Sequence, residues 1–272
     1  AGMKETDDVE ESAEANTQGS ILHESLEMLY KPFIGTVLTE DNIKHCISKT
    51  EESVNHIFQN YFSQRESQFG KNFLQRKVLY EYVNKLLRND LKLIQTSKKT
   101  NELLSLIDLE RGLMTTVELD IKGQKTTIYI KGSADRIDKL GDKIRIIDYK
   151  SSIKMDDKFK FTNFEDLFTD SQYNKMLQLF MYAWLVVKNN LARPEELQPC
   201  IIPFKKFEEQ PKFIMEDTKG GGILNFTNEL LQEFEDHLKQ KISNIISSEQ
   251  SFTQTEDEDK CEYCAYAAIC NI

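Results

Sequence analysis

Hydrophobic positions recur every three or four residues in the first third of the chain and every second residue in its middle. Ile21, Leu22, Ser25, Leu26, Leu29 and Tyr30 lie at helical spacing in GSILHESLEMLYKPF, and Pro32 ends the run. Residues 40 to about 110 continue in the same mode: DNIKHCISKTEESVNHIFQNYF, the long KNFLQRKVLYEYVNKLLRNDLKLI, and a shorter NELLSLIDLER. In the long segment Leu79, Val83, Leu86, Leu87 and Leu91 form one stripe, the pattern of a packing face. The period then changes. LMTTVELDIKG alternates and predicts a strand, TTIYIKGSAD predicts a second, and KIRIIDYK a third. Gly141 and Asp142 between the last two are a turn pair suited to a hairpin. SQYNKMLQLFMYAWLVVKNN is apolar over most of its surface and predicts a buried helix. LQPCIIPF and PKFIMED read as short strands whose prolines favour a sheet edge, and GGGILNFTNELLQEFEDHLKQKISNIIS as a glycine hinge followed by a long amphipathic helix.

The pattern predicts an α/β fold: a central mixed β-sheet flanked by helices, with residues 40–110 as a helical insertion ahead of the sheet. Residues 1–18 are polar and lack periodicity, which predicts a flexible lead-in to a single domain over 19–272. Position 1 is not methionine, as expected if tag residues precede Met3 or if the chain is a piece of a longer protein.

Composition sharpens this picture in three places. With 272 residues, 39% hydrophobic and 29% charged, the chain has a soluble globular balance. No apolar run approaches membrane-spanning length and no signal peptide is visible, so the expected location is cytoplasmic, away from membranes. Five cysteines, three of them in the last dozen residues, suggest a reducing compartment and a metal or cluster rather than a disulfide framework. A net charge of −10 argues against nucleic acid at first sight. The acids concentrate in the first fourteen residues and in residues 256–262, however, while the chain between Lys139 and Lys160 is rich in lysine. A local basic groove is compatible with the total.

The candidate chemistry sits in KGSADRIDKLGDKIRIIDYKSS, residues 131–152. A hairpin brings Asp135 near Asp148, and two adjacent carboxylates repel unless a positive group lies between them. Lys150 follows Asp148 by two residues and projects from the same strand face. Two acids and a lysine at one point suit a hard divalent cation held by oxygen ligands. IRII should be buried, and a buried strand ending in Asp-Tyr-Lys calls for a reason.

GSADRID followed by IIDYKSS resembles the PD-(D/E)XK nuclease superfamily, in its RecB/AddB-like branch. The resemblance implies a restriction-endonuclease-like core, with Asp135 and Asp148 as metal-binding acids, Lys150 as the catalytic lysine and the backbone carbonyl of Tyr149 as a further ligand. RecB-like nucleases carry a G-x-x-x-H helix, which Gly19 to His23 fits, with His23 then a metal ligand. Without the resemblance a lone histidine on a helix reads as structural. Glu27, one turn on, is placed either to orient His23 or to face solvent. Gln178 and Tyr182 match the Q-x-x-x-Y motif of the same branch, which implies DNA contact. An acid on the first strand can also touch the site in this family, and Glu118 is the residue so placed. Lysines interleaved with Phe159, Phe161 and Phe164 after the third strand suit a single strand held by charge and stacking, although Phe164 and Phe168 fit better tucked beneath the sheet.

The tail, 256–272, holds Cys261, Cys264 and Cys270 as C-x2-C-x5-C, a metal or cluster spacing. The AddB-like branch uses such a tail for a structural [4Fe–4S] cluster whose fourth cysteine precedes the G-x-x-x-H helix. No cysteine precedes His23 here, so a fourth ligand is missing from this chain; zinc is the alternative occupant, and nothing around Cys46 or Cys200 recommends them as substitutes. Taken together, the motifs imply an Mg²⁺- or Mn²⁺-dependent DNA nuclease, an exonuclease domain of a helicase–nuclease of double-strand break repair and recombination. It would act on single strands or duplex ends beside a helicase domain or subunit. The competing expectations are a catalytically inactive DNA-binding domain of the same fold and a protein-interaction module.

Overall fold

The computed structural model describes residues 15–63, 70–155, 157–205 and 211–247. Three helices form the first layer. α1 (Ala15–Tyr30) buries Ile21, Leu22 and Leu26 and gives way at Pro32 to a single 3-10 turn. α2 (Glu40–Tyr61) starts at a capping box: the Thr39 hydroxyl accepts from the Asn42 backbone N–H, and the Asn42 side chain accepts from the Thr39 N–H. α3 (Gly70–Ser97) buries Leu79, Val83, Leu86 and Leu87, the stripe visible in the sequence, with Leu91 partly covered.

β1 (Leu104–Ile121), β2 (Gln124–Leu140) and β3 (Lys143–Lys150) make an antiparallel meander. The β2–β3 turn falls at Gly141, whose φ of +62° suits glycine. The expected helix over NELLSLIDLER is a correction: from Leu104 this stretch is the first half of β1. Short apolar runs fit either period, and here pairing of Leu104 with Leu140 and of Leu106 with Asp138 decides for strand. The helical insertion therefore ends at Ser97.

After β3 come β4 (Lys160–Phe161), α4 (Phe164–Thr169) and α5 (Asn174–Lys188). The chain continues through β5 (Leu197–Pro203), β6 (Lys212–Phe213), β7 (Met215–Glu216) and α6 (Asn228–Ser247). The main sheet runs β1-β2-β3-β5-β6, mixed because β5 is parallel to β3 and β6 antiparallel to β5; β4 and β7 form a separate parallel pair. β5 was expected at an edge and lies inside. β6 pairs only with Cys200 and Ile201, so the outer side of β5 at Pro199 and Pro203 demands no further ladder bonds.

β3 is buried on both faces. Ile144 and Ile146 pack with α5 and α6, whereas Ile147 and Tyr149 pack with α1, α2 and α3. On the α5 side Phe161, Phe164, Phe180, Phe226 and Phe234 form one aromatic cluster. Phe164 and Phe168 are tucked there as expected, and Phe161 has joined them instead of serving as an exposed stacking platform. Glu235 of α6 bridges the helices, accepting from the Trp184 indole at 3.0 Å with the Lys188 and Lys239 ammoniums each at 2.6 Å.

The β1–β2 hairpin changes faces partway along. Leu109 and Arg136 lie on the α1–α3 side, while Leu113, Val117 and Ile130 lie on the α5 side. The switch occurs at Glu110 and Asp135. Glu110 has a φ of +45°, rare for a residue with a side chain.

Candidate active site

Alternation along β3 sends Asp148 and Lys150 to the α5 face and the Tyr149 ring to the other. Asp148 is 2% exposed. Its Oδ1 accepts from Lys150 Nζ at 3.0 Å, from Gln178 Nε2 at 3.0 Å and from the Tyr182 hydroxyl at 3.3 Å. Its Oδ2 lies 2.9 Å from Lys150 Nζ, yet without the alignment of a hydrogen bond, so this buried oxygen has no donor among the described residues. Gln178 also donates to the Tyr182 hydroxyl at 2.7 Å. The i,i+4 pair on α5 thus clamps one oxygen of Asp148 and leaves the other open.

Asp135 stands across the strand gap. Its Oδ2 accepts the Tyr149 backbone N–H at 2.7 Å, and its Oδ1 lies 3.5 Å from His23 Nδ1. His23 enters from α1 with Nε2 3.1 Å from the Tyr149 carbonyl oxygen. Burial raises the pKa of Asp135; the charge of Asp148 pushes the same way, while His23, the Tyr149 N–H and Lys150 oppose it.

Glu110 completes the group and was missed in the sequence, where it fell inside the supposed helix. Its Oε1 is 3.8 Å from His23 Nδ1, and ligand atoms of His23, Glu110 and Asp135 all lie within 4.8 Å of one another. Burial raises its carboxyl to about 7, with Asp135 the next contributor, His23 opposing, and Glu27 and Glu24 adding to the rise. A signal for it existed. Lys122 and Gly123 form a two-residue turn, both with positive φ, that pairs Ile121 with Gln124. Counting back from that turn sets Glu110 opposite Asp135. The same register puts Glu118 opposite Thr127, whose hydroxyl it accepts at 2.6 Å, far out on the hairpin. Glu110, rather than Glu118, is the first-strand acid at the cluster. Glu27 pairs with Lys31 at 3.3 Å and reaches the cluster only through its charge.

Behind the cluster lies a buried ionic network. Arg136 is 1% exposed; it meets Asp90 of α3 and Asp138, lies 3.4 Å from the Tyr149 hydroxyl and stacks on the Tyr30 ring. Arg145 grips both oxygens of Asp138 at 2.7 Å. The network ties the helical layer to the strand that carries Asp148, Tyr149 and Lys150.

Cys46 donates to the Leu29 carbonyl, and buried Cys200 has its thiol pushed up to about 12 by desolvation; neither has a ligand-like partner among the described residues. Cys261, Cys264 and Cys270 lie outside the described residues.

Two carboxylates and an imidazole gather within 4.8 Å, the Asp148 carboxylate acts on Asp135 from the neighbouring strand, and among the described residues Lys150 is the fixed cation beside them while Asp148 Oδ2 has no hydrogen-bond donor. This donor set fits a hard divalent cation of the Mg²⁺ or Mn²⁺ type better than a soft metal. A mixed sheet with an acid–x–lysine strand beside a second acid defines a nuclease-type core. The sequence matches the family model of the PD-(D/E)XK nuclease superfamily over residues 1–271, and the chain belongs to that superfamily. Membership suggests a metal-dependent nuclease; enzymes of this superfamily typically use divalent metals, and a nuclease would act on DNA. No curated protein matches the chain. None of the described helices is long and apolar enough to cross a membrane.

Proposed function

We propose that this chain is an Mg²⁺- or Mn²⁺-dependent deoxyribonuclease of the RecB/AddB-like branch. The observation that carries this reading is the gathering of His23, Glu110 and Asp135, from one helix and two strands, next to the Asp148–Lys150 pair of a third strand. His23, Asp135, Asp148 and the Tyr149 carbonyl would hold the cation, with Glu110 at the rim. A cation there supplies Lewis acidity to the scissile phosphodiester.

The chain's own groups do the rest. Gln178 and Tyr182 fix the Asp148 carboxylate through Oδ1, so that Oδ2 keeps a constant direction. The Tyr149 N–H does the same for Asp135. Lys150, held at Asp148 and partly open to solvent, presents N–H donors where negative charge gathers on the phosphate, and helps position the attacking water. DNA contact by Gln178 and Tyr182 is part of the proposal, secondary to their hold on Asp148.

The order of the motifs along the chain supports the finer reading: an exonuclease domain acting on single strands or duplex ends, in the cytoplasm, beside a helicase domain or subunit in double-strand break repair and recombination. Cys261, Cys264 and Cys270 would hold a [4Fe–4S] cluster or zinc with a fourth ligand from outside this chain. The test is a nuclease assay with Mg²⁺ on linear duplex and single-stranded DNA side by side. Asp148→Ala and Lys150→Ala should each slow cutting by at least about 10²-fold while circular dichroism shows the fold retained. Cutting at the parent rate by both would remove the site assignment.

A further inference from the structure

The sheet carries a second cationic feature level with the carboxylate cluster. β5 places Ile201 beside Asp148, and β6 places Lys212 beside Ile201. Residues opposite one another in a ladder share a face, so Lys212 projects on the Asp148 face, two strand spacings or about 10 Å across the sheet. There it lines a cleft of about 490 Å³ together with Lys154 and Lys160. Lys154 follows Lys150 by four residues in the segment that leaves β3, so the cleft and the candidate site are joined by a short stretch of chain.

Two described acids beside the cleft are already engaged. Asp157 faces Lys175 at 2.6 Å and accepts the Lys154 backbone N–H at 2.6 Å, and Asp217 lies 3.6 Å from Lys160. Among the described residues no acid pairs with the side chains of Lys154 or Lys212. A chain of net charge −10 with an acid cluster at its centre repels a polyanion, so a nearby patch of uncompensated lysine is the natural landing place for one.

We propose that this cleft is a phosphate subsite. Lys212 and Lys154 hold the DNA backbone beside the phosphodiester that Asp148 and Lys150 flank, and so fix the direction in which the strand crosses the sheet. The proposal rests on the nuclease reading for its ligand. Phe159, which also lines the cleft, packs against the core, so the contact is with the backbone and independent of base sequence.

The test measures binding of a dye-labelled single-stranded oligonucleotide to the full chain by anisotropy, with Ca²⁺ in place of Mg²⁺, between about 50 and 200 mM salt. Steady-state cutting is measured with Mg²⁺. Lys212→Ala and Lys154→Ala should each lower the slope of log K against log salt by about 0.7. Each should raise KM severalfold with kcat unchanged, and Lys212→Arg should keep the parent slope. A neutral methylphosphonate next to the scissile phosphate should weaken the parent and leave Lys212→Ala unaffected. Parent slopes and parent KM in both alanine variants would overturn the subsite while the nuclease reading stands. A Lys212-dependent slope, with Asp148→Ala still cutting at the parent rate, would keep the subsite and sink the active-site assignment. An oligonucleotide that stays unbound at every salt concentration overturns both.

Discussion

Asp138 and Asp135 sit three residues apart on β2 and meet opposite fates. Asp138 is fully buried, takes both forks of Arg145 and stands 2.8 Å from Arg136, and its carboxyl is held below the usual carboxylate range because these two cations outweigh its desolvation. Asp135 is also largely buried, and burial, with the charge of Asp148, pushes its carboxyl up against the opposing pull of His23, the Tyr149 N–H and Lys150. The same strand therefore carries one acid paired with two guanidiniums and one that shares a single lysine with other carboxylates. The first explains why β2, β3 and the helical layer keep their mutual position. The second points to a cation from outside the chain, since buried acids without a partner are costly unless something neutralises them. The face switch at Glu110 and Asp135 lets one hairpin serve both centres.

This contrast is open to attack by substitution. Asp138→Ala leaves two buried guanidiniums short of a partner and should cost about 3–5 kcal/mol of stability in urea unfolding. Asp135→Ala, made in the charge-deficient centre, should cost less than Asp138→Ala, because loss of the acceptor for the Tyr149 N–H is offset by relief of carboxylate repulsion. Equal losses would erase the distinction. Lys150→Ala should lower kcat by about 10²–10³-fold, the scale for removing one electrostatic stabiliser of a transition state, with little change in melting temperature. Tyr182→Phe removes a single hydroxyl donor to Asp148 and should slow turnover about fivefold, as expected for a contribution of about 1 kcal/mol.

The smallest effect concerns pH. Glu110 has a folded pKa of about 7, above its unfolded value, so the folded metal-free protein holds the extra proton between the two. Its contribution to stability is therefore greatest below the unfolded pKa and declines as pH rises toward about 7. Melting curves without metal should fall over that window for the parent and fall less for Glu110→Gln.

Much of this was legible in the sequence because it depends on local pattern. KIRIIDYK matches β3 residue for residue, and strand alternation alone placed Asp148 and Lys150 on one face. His23, Gln178 and Tyr182 were reached only through the resemblance, since one histidine or glutamine on a helix does not reveal which strand it meets. Glu110 was lost because LIDLER fits a helical period, and the choice between helix and strand there is made by pairing with β2, a long-range contact. The Lys122–Gly123 turn would have recovered it by counting. The Arg136–Asp90 link was out of reach, as it joins residues 46 positions apart across two layers.

The most direct measurement is calorimetric titration of Mn²⁺ into the metal-free protein and its Asp135→Asn, Asp148→Asn and Asp138→Asn variants. Saturable binding is expected for the parent and should be lost in the first two variants. Asp138→Asn should bind as the parent does wherever it remains folded. Parent-like binding after removal of Asp135 and Asp148 would contradict the claim that these side chains gather around a common cation.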